Sequence, residues 1–375
     1  MDLLGLASSL ISFRTEAPPG NERQCARFIR DFLCDLHIEG AAVELHAFAR
    51  SRSNVVATFG GREPGLLLAG HTDVVPAPDP QSWNSHPYEA VVRGGMLYGR
   101  GAADMKSGLA AMLAAIASIK GKTLRRSLSL VATGGEEIGY DGLNALLRTE
   151  LIKTVRARCG VVGEPTEMKV VRAHRGALTC QVAFEGRSAH AGEPSLGLNS
   201  IESCALFLER LDPLRRRLAA RKDPLLGRAT LTPTMVQGGS KSNVIPAACE
   251  LTIDSRLTPG VSSERVIEGL DAVIQGLSMR VTGFKAKVRV LYETPALLVP
   301  KEAEVVGLAE SLTGTVSGVA PYGTEAPLYC RIGIPTVVLG PGSVRQAHTV
   351  NEFAPVKQIK MARAVYGRLI ERVCL

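Results

Sequence analysis

Hydrophobic and polar positions follow two different patterns along the chain. Over roughly the first 165 residues, short apolar runs alternate with helical patterns at 107–120 and 141–150. Nearly continuous apolar runs are typical of strands that are covered on both faces. Such runs occur at 54–60 (NVVATFG), 65–73 (GLLLAGHTD), 127–137 (SLSLVATGGEE) and 159–165 (CGVVGEP). The alternation predicts an α/β fold, with a mixed, mostly parallel sheet flanked by helices.

From about residue 172 the pattern changes to strands buried on one face. ALTCQVAFEG alternates strictly, which is typical of an antiparallel strand. The predicted order is strand–helix–strand–strand–helix–strand, at 177–186, 200–217, 228–239, 248–256, 263–277 and 279–293. After Pro295 the first pattern returns and includes an apolar run at 334–342. We therefore expect a small α+β domain at 172–293, inserted between two halves of a larger domain at 1–171 and 294–375.

Length and composition agree with two domains. The chain has 375 residues, and a single hydrophobic core stops growing at roughly 250–300. The start of the chain lacks the basic region of a signal peptide, and the most apolar helical stretch, 109–119, is too short to span a membrane. The eight cysteines form no CxxC pair, which favours reduced thiols. These features predict a soluble cytoplasmic protein.

The net charge of +8 comes from 44 basic and 36 acidic residues. Most of the basic residues are dispersed, and the dense run at 215–217 follows a helical pattern, which is typical of a solvated helix face. We therefore expect neither nucleic acid nor a membrane as a partner. A mildly basic surface would help to attract a small anionic substrate.

A series of acidic and imidazole side chains follows the apolar runs, where each run gives way to a turn or to Gly-rich sequence. His71, the pair Glu136 and Glu137, and Glu164 lie at the ends of three separate predicted strands. In parallel sheets ligands gather beyond the carboxyl ends of the strands, so we expect the side chains to meet. The residues are His71, Asp104, Glu136, Glu137, Glu164 and His348.

Two imidazoles and four carboxylates are enough to hold two divalent ions. In a dinuclear site one carboxylate bridges the ions, and each ion takes one imidazole and one further carboxylate. Asp104 is the natural bridge, His71 with Glu164 completes one ion, and His348 with Glu137 completes the other. Two ions about 3.5–4 Å apart lower the pKa of a shared water from 15.7 toward about 7.

The remaining carboxylate is then free for proton transfer. Glu136 would take the proton from water and pass it to the leaving amine. Asp73 lies two residues after His71 and would accept the other imidazole N–H and orient the ring.

Each of these residues also has an ordinary structural interpretation, such as a helix cap or an Asx turn. The combination favours a metal-dependent hydrolase because the competing motifs fail. GRGAAD (99–104) lacks the third glycine of a dinucleotide loop, and the chain has no P-loop, no GxSxG and no HExxH.

Eight stretches spread over most of the chain resemble the M20 co-catalytic metallopeptidase and deacylase family, in the family's order. They are GHTDVVPA (70–77), WNSHPY (83–88), LYGRGAADMKSG (97–108), TGGEEIG (133–139), VGEPT (162–166), GRSAHAGEP (186–194), SNVIPAACELTIDSR (242–256) and GPGSVRQAHTVNEF (340–353). The resemblance implies a zinc-exopeptidase-like catalytic domain with an inserted ferredoxin-like lid through which the protein forms a homodimer. It also implies a cis peptide after Asp104.

The resemblance assigns the same ligands, with Glu136 as general acid/base and Asp73 as the clamp on His71. The two ions would be zinc, with cobalt or manganese as alternatives, since such donor sets accept all three. In the lid, His190 resembles a histidine that polarises the scissile carbonyl. Asn243 and Arg256 resemble residues that bind a substrate carboxylate, although an ion pair with Asp254 is the structural alternative for Arg256.

Three segments, at 171–178, 322–329 and 339–348, look most like those of acetylornithine deacetylases. His174 stands where desuccinylases have an arginine, which favours a small neutral acyl group. Glu325 is a candidate partner for the side-chain amine of a substrate. The resemblance thus implies hydrolysis of N2-acetyl-L-ornithine to L-ornithine and acetate, a step of arginine biosynthesis. Desuccinylase, acetylcitrulline deacylase and dipeptidase activities remain alternatives, as does a non-catalytic binding protein.

Overall fold

The computed structural model describes residues 2–77 and 79–375, and the chain divides into two compact units. The larger unit contains residues up to Arg172, together with Leu298–Ala320 and Thr324–Leu375. The smaller unit comprises Ala173–Leu297 and Pro321–Gly323. The domain boundaries predicted from the sequence were 171/172 and 293/294.

Helices and strands alternate in the larger unit, and the smaller unit contributes α5–α7 and β9–β14. The helices are α1 Leu3–Ser12, α2 Arg23–Asp35, α3 Lys106–Ala117, α4 Asp141–Leu146, α5 Ser200–Glu209, α6 Asp212–Ala219, α7 Ser263–Ser278, α8 Glu304–Thr313, α9 Ala326–Arg331 and α10 Val356–Cys374. The strands are β1 Ala42–Ala49, β2 Arg52–Phe59, β3 Glu63–His71, β4 Val91–Arg93, β5 Met96–Tyr98, β6 Arg126–Thr133, β7 Ala157–Val162, β8 Val171–His174, β9 Gly176–Glu185, β10 Lys222–Asp223, β11 Gly227–Arg228, β12 Thr232–Gly238, β13 Ala248–Leu257, β14 Lys285–Thr294, β15 Leu297–Leu298, β16 Gly318–Ala320, β17 Thr336–Val338 and β18 Phe353–Pro355.

The larger unit is built on a sheet in the order β1-β2-β6-β3-β7-β17-β8-β15, with β16 paired to β8. Its four central strands, β6, β3, β7 and β17, run parallel, and antiparallel pairs flank them. Residues 66–71 of β3 are all buried, as the continuous apolar run predicted. Helix α3 packs against α1 and α10, and its side chains are buried from Lys106 to Ile116. The predicted mixed α/β fold is confirmed.

The smaller unit contains an antiparallel sheet in the order β12-β13-β9-β14. Strand β9 alternates buried and partly exposed residues along its length, so one face of the sheet lies on the core. Phe184, Phe207 and Phe284 pack edge to face in that core. The sequence of two β-α-β halves and this strand order describe a ferredoxin-like arrangement.

Two of the predicted elements differ in the structure. The helix predicted over 200–217 is two helices, because Pro213 lacks the N–H that a continuous helix needs and instead occupies the first turn of α6. The strand predicted over 279–293 begins only at Lys285, after a turn in which Phe284 N donates to Val281 O. In the described part of the chain, no helix is both long and apolar enough to cross a membrane.

Candidate metal centre

Three neighbouring parallel strands bring part of the predicted ligand set to one edge of the sheet. His71 is the last residue of β3, and Glu164 follows the end of β7 by two residues. Glu136 and Glu137 lie on a 3-10 turn, Glu136–Ile138, just after β6. Because β6, β3 and β7 are adjacent and parallel, their carboxyl ends coincide.

Asp104 and His348 reach the same place from loops. Asp104 lies between β5 and α3, and the peptide bond after it is cis, as the resemblance implied. His348 lies between β17 and β18, and its φ of 63° is unusual for a residue with a side chain. Its side chain is half exposed, whereas that of His71 is fully buried. Sheet geometry therefore positions His71, and loop geometry positions His348.

The carboxylate of Asp104 lies between the two imidazoles. Its Oδ1 is 3.0 Å from His71 Nε2, and its Oδ2 is 3.3 Å from His348 Nε2. Beyond them, Glu164 Oε1 is 3.5 Å from His71 Nε2, and Glu137 Oε1 is 3.0 Å from His348 Nε2. Each imidazole thus has one carboxylate of its own and shares a third.

Within residues 2–77 and 79–375, two sets of three residues could hold an ion, and the donor atoms of each set lie within 4.8 Å of one another. One set contains His71, Asp104 and Glu137, and the other contains His71, Glu136 and Glu164. Among the described residues, no hydrogen bond or ion pair occupies the carboxylate of Glu136. The two adjacent glutamates, the doublet Glu136–Glu137, therefore differ: Glu137 contacts an imidazole and Glu136 does not.

Asp73 faces His71 with both its backbone and its carboxylate. Its backbone oxygen lies 2.9 Å from His71 Nδ1, and its carboxylate Oδ1 lies 3.6 Å from the same nitrogen. The Asp73 carboxylate accepts the backbone N–H groups of Glu136 and Glu137, at 3.2 and 3.1 Å. Asp73 therefore connects the imidazole of His71 to the turn that carries the glutamate doublet.

Gly134 and Gly135, just before that turn, pack against a buried ion pair that no sequence pattern indicated. Arg52 binds Glu22 through Nη2 at 2.7 Å, and both side chains are almost completely buried. A Cβ on Gly135, whose φ is +76°, would lie 2.5 Å from Arg52 Nη2. Asn54 holds the same turn by accepting the N–H of Gly134 at 3.0 Å. The only sequence signal was the pair of glycines itself, since Glu22 and Arg52 are far away in the chain.

The imidazoles and carboxylates of the centre shift one another's pKa values. Burial opposes a charge on His71, yet the carboxylates of Glu164 and Asp104 raise its pKa well above the usual value. Hydrogen bonds to Asp104 and Glu137 raise the pKa of His348 to about 10. Burial and the nearby charge of Asp104 raise the pKa of Glu164 to about 8.

This donor set fits divalent ions. Several carboxylates lie close together at this edge of the sheet. Burial is the largest cause, and repulsion from Glu164 the next, of a pKa of Glu136 well above its usual range. Such repulsion is relieved when cations lie among the acids, because a bound ion is the largest local charge. Imidazole and carboxylate donors suit zinc, cobalt and manganese alike.

Glu325 is not placed where a substrate amine would reach it. Its side chain is fully buried, and Oε2 accepts a hydrogen bond from Thr133 Oγ1 at 2.9 Å. Burial raises its pKa to about 7, against the opposing hydrogen bond of Thr133. We therefore replace the predicted amine contact with a structural role at the end of β6.

The other predicted substrate residues belong to the smaller unit. His190 and Asn243 are exposed and lie on neighbouring segments, where Ala191 N donates to Asn243 O at 3.0 Å. Arg256 lies on β13, and its Nε is 3.0 Å from Asp254 Oδ1, which is the ion pair named as the structural alternative. His174 is buried, and burial lowers its pKa to about 4, so the ring is neutral at pH 7.

Comparisons with known proteins show the family of the chain. The sequence profile of peptidase family M20/M25/M40 matches residues 67–372. The chain is 34% identical to an acetylornithine deacetylase of Proteus mirabilis over 342 residues, which is 90% of this chain and 87% of the relative.

Solved structures show the same fold. An M20 family metallo-carboxypeptidase from Sulfolobus solfataricus is similar with a TM-score of 0.79 at 19% identity, covering 99% of each chain. A dinuclear metal-binding M20 peptidase from Bacillus subtilis is similar with a TM-score of 0.68 at 17% identity, covering 98% of this chain and 96% of that one.

Proposed function

We propose a specific hydrolytic reaction for this chain, which belongs to peptidase family M20/M25/M40 and is therefore a metallohydrolase. The reaction is hydrolysis of the amide bond of N2-acetyl-L-ornithine, which yields L-ornithine and acetate and serves arginine biosynthesis. The observation that carries the hydrolytic part is the carboxylate of Asp104 lying between two imidazoles, each with its own glutamate. The similarity to a relative named acetylornithine deacetylase supports the substrate.

His71, Asp104, Glu164, His348 and Glu137 would hold two divalent ions, zinc in our proposal, with Asp104 shared between them. When bound, the ions would polarise the scissile carbonyl and acidify a water. The protein's own part is to keep the donors at one sheet edge, where His71 ends β3 opposite Thr133 of β6 and Glu164 follows the end of β7 by two residues.

Glu136 is our proposed general acid and base. Its carboxylate is partly buried beside Glu164 and makes no ion pair among the described residues, so an oxygen is free to accept a proton. That oxygen would take a proton from water and return it to the leaving nitrogen. The backbone of Glu136 is held by Asp73, which limits how far the carboxylate moves between the two transfers.

His174 bears on the size and charge of the acyl group that the protein accepts. A buried, neutral His174 offers no cation to a succinyl carboxylate, which favours a small neutral acyl group. We expect kcat/KM for acetylornithine to exceed that for succinyl-diaminopimelate by at least about 10-fold, since a buried charge without a partner is costly. Acetylcitrulline and dipeptides complete the panel of substrates. Steady-state assays of the metal-loaded protein with this panel provide the measurement. Preference for the succinyl substrate or for a dipeptide would refute the substrate while leaving the hydrolase intact.

We also propose that His190, Asn243 and Arg256 contact the substrate, and that the protein is a homodimer formed through the smaller unit. Edge strand β12 exposes Met235 and Val236, which leaves an apolar strand edge available to a second copy. Sedimentation equilibrium should then give about twice the chain mass of 39.9 kDa. A monomer at micromolar concentration would refute the dimer.

His190→Ala should lower kcat by about 10²-fold, because one preorganised donor to a developing oxyanion is worth that much. Metal content, measured by atomic emission, should stay at the wild-type value, since His190 belongs to neither donor set. The exposed His37→Ala is the matched control and should behave as wild type. Unchanged kcat in His190→Ala would remove this residue from the proposed site.

A further inference from the structure

Outside the proposed ligand set, a buried ion pair joins Arg100 and Glu352. Arg100 Nη1 lies 2.6 Å from Glu352 Oε2, and both side chains are about 1% exposed. A buried ion pair is by itself weak evidence for stability, because desolvation of the two charges offsets their attraction. Because the pair lies beside the candidate metal centre, what it holds in place matters more here than what it adds to stability.

The carboxylate of Glu352 also accepts three backbone N–H groups from one loop. Gly101 N donates to Oε2 at 3.0 Å, while Ala103 N and Asp104 N donate to Oε1 at 2.8 and 3.0 Å. The last of these donors belongs to Asp104 itself. Glu352 thus fixes the backbone from which the shared carboxylate of the centre extends.

The same ion pair holds the segment that carries His348. Glu352 follows His348 by four residues, its backbone oxygen accepts the N–H of Gly99 at 3.0 Å, and Arg100 Nη1 reaches Thr349 O at 3.4 Å. Two loops that are far apart in the chain are therefore held together. One supplies Asp104 and the other supplies His348, and their side chains meet at 3.3 Å.

We propose that Glu352 is a positioning residue for the metal centre, which keeps Asp104 and His348 in register so that one carboxylate serves two ions. This inference rests on the proposed function, because it takes Asp104 and His348 as ligands. His71 ends β3 opposite Thr133 of β6, and Glu164 follows the end of β7 by two residues, so neither lies on the two loops that Glu352 holds. Loss of the Glu352 carboxylate should therefore weaken the ion at His348 and Glu137 more than the ion at His71 and Glu164.

The test is calorimetric titration of Co²⁺ into the metal-free full-length protein, comparing wild type with Glu352→Gln. Glutamine keeps the side-chain shape, but its single amide oxygen does not accept three N–H groups and its NH₂ faces other donors. We expect the ion at His71 and Glu164 to bind within about threefold of wild type and the ion at His348 and Glu137 to lose about 10–100-fold in affinity. The visible spectrum of the second Co²⁺ equivalent should change as well.

Two further variants make the result decisive. Arg100→Lys keeps the positive charge and tests the same contact if Glu352→Gln does not fold, with a smaller loss for the same ion expected. Val306→Ala removes buried volume from α8 and so lowers stability away from this contact, and it should bind both ions as wild type does.

Wild-type affinities for both ions in Glu352→Gln, or an equal loss of both, would overturn the proposal. An equal loss of the second ion in Val306→Ala would do the same, because the effect would then be one of general stability. A wild-type protein that binds no Co²⁺ would instead refute the proposed function, so the two failures are distinguishable.

Discussion

Glu136→Gln is expected to lower kcat by about 10²–10⁴-fold while the content of bound metal stays at the wild-type value. That range is the usual contribution of one general acid or base. Glutamine has nearly the same shape but neither accepts nor returns a proton at neutral pH. Metal should stay because, of the two glutamates, Glu137 and not Glu136 contacts an imidazole, at 3.0 Å from His348. Atomic emission and steady-state kinetics on one preparation give both quantities.

The neighbouring residue provides the matched control for that experiment. Glu137→Gln removes the carboxylate that contacts His348, so it should lose metal together with activity. Both variants change one carboxylate to an amide on the same 3-10 turn, so general disturbance of the turn is common to them. Loss of metal in Glu136→Gln, with metal retained in Glu137→Gln, would reverse the proposed roles.

Chelation is expected to remove essentially all activity, and added Zn²⁺ or Co²⁺ should restore it. Without ions, nothing lowers the pKa of a water at the centre toward about 7, so hydroxide becomes scarce at neutral pH. We expect the residual rate to fall by at least about 10³-fold after dialysis against a chelator. Hydrolysis of acetylornithine before dialysis, after it and after addition of metal is the measurement.

Asp104→Asn carried through the same cycle separates loss of metal from irreversible damage. Its amide replaces the carboxylate that lies between His71 and His348, so added metal should not restore activity. Circular dichroism should show that the variant remains folded. An enzyme that keeps its rate in the chelator would rule out the metal mechanism altogether.

Much of the larger unit could be read from the chain because its signals are local. The apolar run of β3 predicted a strand covered on both faces, and residues 66–71 are buried. The rule that ligands follow the carboxyl ends of parallel strands then placed His71, the doublet and Glu164 together. The helical pattern over 200–217 was less informative, because the single residue Pro213 divides that predicted helix into α5 and α6.

Other parts of the centre depend on contacts between residues that are distant in the chain. Nothing in the local sequence around Glu325 indicated that burial beside Thr133 would remove it from contact with substrate. Asp73 was expected to face His71 with its carboxylate, and only the folded chain showed that this carboxylate also accepts the backbone N–H groups of Glu136 and Glu137. Such outcomes depend on how two strand ends approach each other, which spacing within one strand does not specify.

The sequence by itself determined the class of fold, the inventory of donors and the family, because periodicity and motifs are properties of neighbouring residues. Only the tertiary structure decided which oxygen faces which imidazole, and that Asp104 lies between two of them. It alone showed the buried pairs Glu22–Arg52 and Arg100–Glu352 that hold the turn and the loops. The physical reason is that buried charges need partners, and the chain brings those partners from 30 and 252 positions away.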